Sequence, residues 1–254
     1  EVSAAPASPC YNKEHKHLPG GGSYYIDGYN SMMKKINAEK PEGAFYFSEC
    51  NAEPFMKSFN GYLTWMWVMA GEVPAFAVIY SGYIQLLGRC TIGNKKDDFE
   101  FFKYCTVKSL LCGQQLGWCK ADIVYSPKHM EFLKSAVKVR CKYTDVFHCS
   151  RMLRPPMVKT DLPKLVTKAG LWFDGNIVSE QVLSGAWRDR SGRKVFIFAV
   201  NISEKSVNYS LSFSIKEYGL DKVDLPCKFV KESDNCTVRD KLLRYEIKVW
   251  EIDC

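Results

Sequence analysis

Hydrophobic and polar positions follow two rhythms along this chain, and the change falls near residue 164. In the first part, apolar residues recur at helical spacing between short, continuous apolar runs. Tyr25, Tyr29, Met32, Met33 and Ile36 line one side of a helix over 24–39, because residues three and four apart share a face. Lys40-Pro41-Glu42-Gly43 ends it, and 44–47 reads as a short buried strand of a parallel sheet. The polar stretch 48–53 makes a tip, an aromatic, helix-like segment follows over 55–71, and 74–80 reads as the next strand. Another short apolar segment begins at Tyr83. Residues 97–118 predict a long helix with Phe99, Phe102, Val107, Leu110, Leu111 and Leu116 on its apolar side. Ser126-Pro127 starts a further helix, with a cap and a proline in its first turn, that runs to about Tyr143 and buries Met130, Leu133, Ala136 and Val137. The aperiodic, proline-bearing stretch 151–163 reads as a connector.

Beyond it the period shortens to two. Residues 185–200 read as strand, turn, strand. Val207, Tyr209, Leu211, Phe213 and Ile215 alternate to one side, and 225–230 and 243–252 complete a run of strands with no helix between them. The expected fold class is α/β followed by all-β, with one domain over 1–163 and an antiparallel β-sandwich over 164–254.

Strand, tip, helix, strand is a parallel α/β unit, and in closed barrels of such units the chemistry sits at the C-terminal strand ends. Glu49 stands at such a tip and is the first candidate for a catalytic residue. If 52–57 is helical, Glu53 lies one turn from Glu49. Two carboxylates in one pocket would push one pKa upward, as a general acid needs. Glu53 also suits a helix N-terminus. Most of the aromatic residues over 55–71 read as packing, with Trp65 a candidate for stacking on a sugar. His15 and His17 alternate, so an extended backbone would turn only one of them inward. A hydrogen-bonding role toward a sugar or carboxylate is preferred there to a zinc pair, and no metal or cofactor is expected. Gly20-Gly21-Gly22 lacks the spacing of a phosphate loop, and no GxSxG, HExxH, Walker or EF-hand pattern occurs.

The net charge of +7 comes from scattered Lys and Arg without a zinc-finger or RNP motif, so nucleic acid is not an expected partner. No stretch of 18 apolar residues suggests a membrane span. Eleven cysteines together with three sequons, at Asn201, Asn208 and Asn235, favour a glycosylated protein of the secretory pathway lumen or extracellular space, braced by disulfides. The odd count leaves one cysteine free or bonded to another chain. The absence of an initiator Met suggests processing, or a part of a longer protein.

Several short motifs carry a resemblance. They are Cys10-Tyr11 with His15, His17 and Gly20–Gly22, then 48–55 with its two glutamates, then Val73-Pro74-Ala75-Phe76 with Tyr80, then Gly185-Ala186-Trp187 followed by 198–203. Together they resemble a glycoside-hydrolase-like family of unknown function (DUF6259-like) with a (β/α)8 barrel followed by an all-β domain. The resemblance implies a retaining site with Glu49 as general acid/base and an Asp nucleophile upstream of Glu1. It implies Tyr11, His15 and His17 at a sugar subsite, and Glu53 as a supporting or sugar-binding carboxylate. A complete barrel takes about 250 residues, whereas three or four barrel strands are legible here. The chain is therefore expected to be the C-terminal part of a barrel, completed by the N-terminal portion of its precursor or by a second chain. The alternative reading is a non-catalytic carbohydrate-binding or structural extracellular glycoprotein.

Overall fold

The computed structural model describes residues 9–64, 73–88, 99–117, 119–168 and 175–254. The first part is α/β. Helix α1 (Tyr24–Ala38) precedes strand β1 (Phe47–Glu49), a 3-10 turn (Glu53–Phe55) and strand β2 (Gly61–Leu63). Helix α2 (Ala75–Tyr80), strand β3 (Gln85–Leu87) and helix α3 (Phe99–Leu111) follow. Helices α4 (Pro127–Lys142) and α5 (Thr144–Cys149) complete this part. The strands form one open parallel sheet in chain order, β1-β2-β3, and a further parallel bridge joins Leu87 to Gln115. No sheet among the described residues closes into a barrel.

Several elements differ from the expected pattern. Over its described residues, 55–64, the aromatic segment after the tip forms a 3-10 turn and β2 where a helix was expected, with Phe55, Phe59 and Tyr62 buried; the rest of that segment, 65–71, lies outside the described residues. The run 74–80 is helical: Ala77 turns inward and Ile79 outward. An uninterrupted apolar run has no alternation to distinguish strand from helix. The first strand falls two to three residues later than expected, and Phe45 and Phe47 are exposed beside it because β1 is the outer strand. In α1, Met33 is buried while Met32 and Ile36 face outward. Two asparagines take the inward positions. Asn30 donates to Pro54 O (3.2 Å) and accepts from Ser58 Oγ (2.6 Å), and Asn37 donates to Ser58 O (3.1 Å). They fasten the β1–β2 crossover to the helix. In α4 the buried face carries His129, Phe132, Ala136 and Arg140, so polar residues displaced the expected stripe by about one position.

The second part is antiparallel. Strands β4 (Arg151–Leu153) and β5 (Met157–Thr160) form within the stretch read as a connector. β6 (Leu165–Lys168) pairs with β7 (Asn176–Ser179). The remaining elements are β8 (Val182–Arg188), β9 (Lys194–Asn201), β10 (Val207–Ser214), the single-turn α6 (Ile215–Tyr218), β11 (Phe229–Glu232), β12 (Asn235–Leu242) and β13 (Ile247–Asp253). They build two four-stranded sheets, β11-β12-β10-β5 and β13-β9-β8-β4. Val182, Ile197 and Ala199 from one sheet share a core with Tyr209, Leu211 and Phe213 from the other.

Strand β9 is buried on both faces. Its second face, with Phe196 and Phe198, packs on Tyr143 and Phe147. Beside it Trp187 is fully buried, and its Nε1–H donates to Leu111 O at the end of α3 (3.1 Å). The approach demands glycine. A Cβ on Gly113 would lie 2.7 Å from Trp187, and one on Gly185 would lie 3.0 Å from Leu111.

The expectation of disulfides is overturned: no disulfide joins any two of the described cysteines. Cys105, Cys112 and Cys236 are instead buried in the hydrophobic core, where cysteine behaves as a small apolar residue. Among the described residues, no helix is long and apolar enough to cross a membrane.

Candidate functional site

Parallel register aligns the C-terminal strand ends. Glu49, Leu63 and Leu87 are neighbours across the sheet, with Gln115 beyond them. The next residues tie this rim together. Cys50 N–H donates to Leu63 O (3.2 Å), both Thr64 N–H and its hydroxyl donate to Leu87 O (3.0 and 2.8 Å), and Gly88 N–H donates to Gln115 O (2.8 Å). Gly88 has no room for a side chain, since a Cβ would sit 2.3 Å from Ser109 Oγ.

Glu49 ends β1, half-buried, and its carboxylate has no hydrogen-bond or ion-pair partner among the described residues. Cys50 beside it is left-handed (φ 64°), a conformation that costs a non-glycine residue roughly 1–2 kcal/mol. Burial pushes the Cys50 thiol pKa up, and the neighbouring Glu49 charge adds to this. The turn at Cys50 also brings the extended Ala52 over β2, where the buried Tyr62 hydroxyl donates to Ala52 O (2.8 Å). No sequence signal marked Cys50 for this geometry.

Glu53 opens the 3-10 turn, and the helical spacing that was to bring it to Glu49 is not formed. Its carboxylate accepts the Tyr80 hydroxyl, and this bond pushes the Tyr80 pKa up. Glu53 therefore ties the turn to α2. Trp65 lies outside the described residues.

The remaining candidates sit in the loop before α1. Tyr11 is exposed and leans on Gly20, whose amide donates to Cys10 O (2.6 Å) and closes the loop. The segment 13–20 is a run of turns and bends, so alternation does not separate the two histidines. The His15 and His17 rings lie 5.3 Å apart, and His17 stacks on Tyr24 at 4.0 Å. Among the described residues no hydrogen bond or ring contact joins this loop to Glu49.

Of the three sequons, Asn201 is buried. Its Nδ2 donates to Lys205 O (2.7 Å) and Leu243 O (2.8 Å), so it has neither space nor a free amide for a glycan in the folded protein. Asn208 and Asn235 are exposed.

Comparison with known proteins gives the following. Residues 1–91 match the model of a domain of unknown function, DUF6259. A Bacteroides thetaiotaomicron protein named "Putative glycoside hydrolase" is 26% identical over 224 residues, covering 83% of this chain and 31% of that protein. A Monosiga brevicollis protein named "Putative glycoside hydrolase 22789" is 31% identical over 129 residues, covering 46% of this chain and 10% of that protein. The chain thus spans about a third and a tenth of the length of these relatives. Among solved structures, a noncanonic maltogenic α-amylase from Thermotoga neapolitana superposes with a TM-score of 0.50 at 11% identity, over 94% of this chain and 60% of that one. That likeness is one of fold. In sequence, the chain is similar to glycoside-hydrolase-like proteins.

Proposed function

We propose that this chain is the C-terminal portion of an extracellular, retaining glycoside hydrolase, with Glu49 as the general acid/base. The observation that carries the reading is the position of Glu49 at the C-terminal end of the outermost of three parallel strands. That is where barrel hydrolases hold their reacting groups. The relatives' greater length supports a barrel completed by polypeptide outside this chain, with the antiparallel sheets as its appended β-sandwich. Phe45 and Phe47, exposed beside β1, are the surface the preceding barrel unit covers.

In this account Glu49 protonates the glycosidic oxygen as its bond to the anomeric carbon breaks. A carboxylate from the completing polypeptide, about 5–5.5 Å away, attacks that carbon. The Glu49 carboxylate then takes a proton from the water that hydrolyses the glycosyl-enzyme. Tyr11 and Trp65 are proposed for binding the sugar, while Glu53 supports the tip through Tyr80.

The test is Glu49→Gln in the complete protein, assayed on glycosides whose poor leaving groups need protonation. The amide keeps size and loses the proton, so kcat/KM should fall by about 10²–10⁴-fold with an unchanged circular dichroism spectrum. Unaltered turnover would remove Glu49 from the reaction.

A further inference from the structure

The loop before α1 gathers three soft and borderline donors for which the proposed hydrolysis has no chemical step. Cys10 Sγ, a His15 ring nitrogen and a His17 ring nitrogen all lie within 4.8 Å of one another. Cys10 Sγ is already 3.2 Å from His15 Nδ1. We propose that Cys10, His15 and His17 form a zinc site.

The donor set fits the ion. Thiolate and imidazole favour Zn²⁺ over Mg²⁺ or Ca²⁺, which take oxygen ligands. Tetrahedral zinc with bonds of about 2.3 Å to sulfur and about 2.0–2.1 Å to nitrogen sets neighbouring donors about 3.3–3.6 Å apart. Closing the present cluster on the ion therefore takes side-chain movements of roughly 1.5 Å or less. Three protein ligands leave one tetrahedral position for water or another group.

One outer contact is of the kind that orients metal-binding imidazoles. His17 Nδ1–H donates to Leu18 O (2.9 Å), so Nε2 carries the lone pair free to bind a metal. His15 Nε2 lies 3.2 Å from the Asn12 side-chain amide. Asn12 Oδ1 accepts the Glu14 amide (2.9 Å), so when Nδ1 binds, Nε2–H of the exposed His15 donates to solvent. Stacking of His17 on Tyr24 and the Gly20–Cys10 backbone bond hold the loop closed against α1. An ion here would fasten the loop to that helix.

The experiment is titration of the reduced, metal-free protein with Co²⁺ and then Zn²⁺, under anaerobic conditions. One equivalent of Co²⁺ should give a near-ultraviolet thiolate charge-transfer band and the visible bands of a tetrahedral centre, and Zn²⁺ should displace it. Zinc should also shield Cys10 from alkylation, read by peptide mass spectrometry. Cys10→Ser should abolish the charge-transfer band. His17→Ala should weaken binding by more than the ~10–100-fold that loss of an outer hydrogen-bond partner costs. His17→Cys keeps a ligand, and it should restore stoichiometric binding. Cys141→Ser and Cys149→Ser, outside the loop, should change nothing. Absence of stoichiometric binding would overturn the proposal, as would a charge-transfer band that survives Cys10→Ser.

Discussion

Trp187 joins the two halves of the molecule, and its replacement should show how strongly they are coupled. The side chain is fully buried between the end of α3 and the β13-β9-β8-β4 sheet, edge-on to Phe147 at 5.7 Å. Truncation of a buried tryptophan to alanine costs about 3–5 kcal/mol in lost contacts and cavity. Loss of the Nε1–H bond leaves Leu111 O without that donor, a further cost of about 1 kcal/mol. A domain typically holds only about 5–15 kcal/mol in total, so Trp187→Ala should remove a third or more of it. Trp187→Phe retains much of the packing and should cost less. Urea unfolding followed by far-ultraviolet circular dichroism measures both. A second variant isolates the contact. Gly113→Ala carries three penalties, left-handed backbone (φ 71°), a Cβ 2.7 Å from the indole and a tight 3.0 Å approach to Phe147 O. In the Trp187→Ala background the indole contact is gone and the other two remain, so Gly113→Ala should be less damaging there. A loss below about 1 kcal/mol for Trp187→Ala, or strict additivity of the two changes, would refute this account of the seam.

Other outcomes follow from single contacts. Gly61→Ala places a Cβ 2.3 Å from the Phe47 ring and 2.6 Å from Gln85 O; the backbone atom cannot yield cheaply, so thermal denaturation should show a loss of about 1–3 kcal/mol. Burial alone would raise the Asp240 carboxyl, but Lys248 at 2.7 Å, the Lys241 amide and Lys228 hold it below its usual range. Its contribution is therefore present above the unfolded value of about 3.9 and is lost as pH falls through the lower folded value. Asp240→Asn should be less stable at neutral pH and flatter in acid, which denaturation as a function of pH would measure. Passage through a secretory pathway should leave glycans on Asn208 and Asn235 and none on Asn201 of the folded protein, as site-resolved mass spectrometry would show.

What the sequence disclosed depended on how long each pattern ran. The starts of α1 and α4, the β8–β9 hairpin and the alternation along β10 were legible because each repeats its period over several residues. Strands of three residues, such as β2, show no period, and α2 is apolar throughout, so both were assigned the wrong element. Inward asparagines in α1, and His129 and Arg140 in α4, displaced the apolar stripe because hydrogen bonds and ring contacts let polar side chains face the interior. Glu49 was legible as a strand-end carboxylate. Its separation from Glu53 was not, because it turns on the left-handed Cys50 and the extended Ala52. The gathering of Cys10, His15 and His17 depends on a loop that bends where an extended segment was assumed.

The central claim is that Glu49 supplies and removes the proton in glycoside cleavage. The most direct measurement is chemical rescue of Glu49→Gly in the complete protein, using an aryl glycoside whose leaving group needs no acid. Added azide should restore turnover and yield a glycosyl azide with the anomeric configuration of the substrate, because azide replaces water in the step that Glu49 assists. Turnover unaffected by azide, with no glycosyl azide formed, would contradict the account.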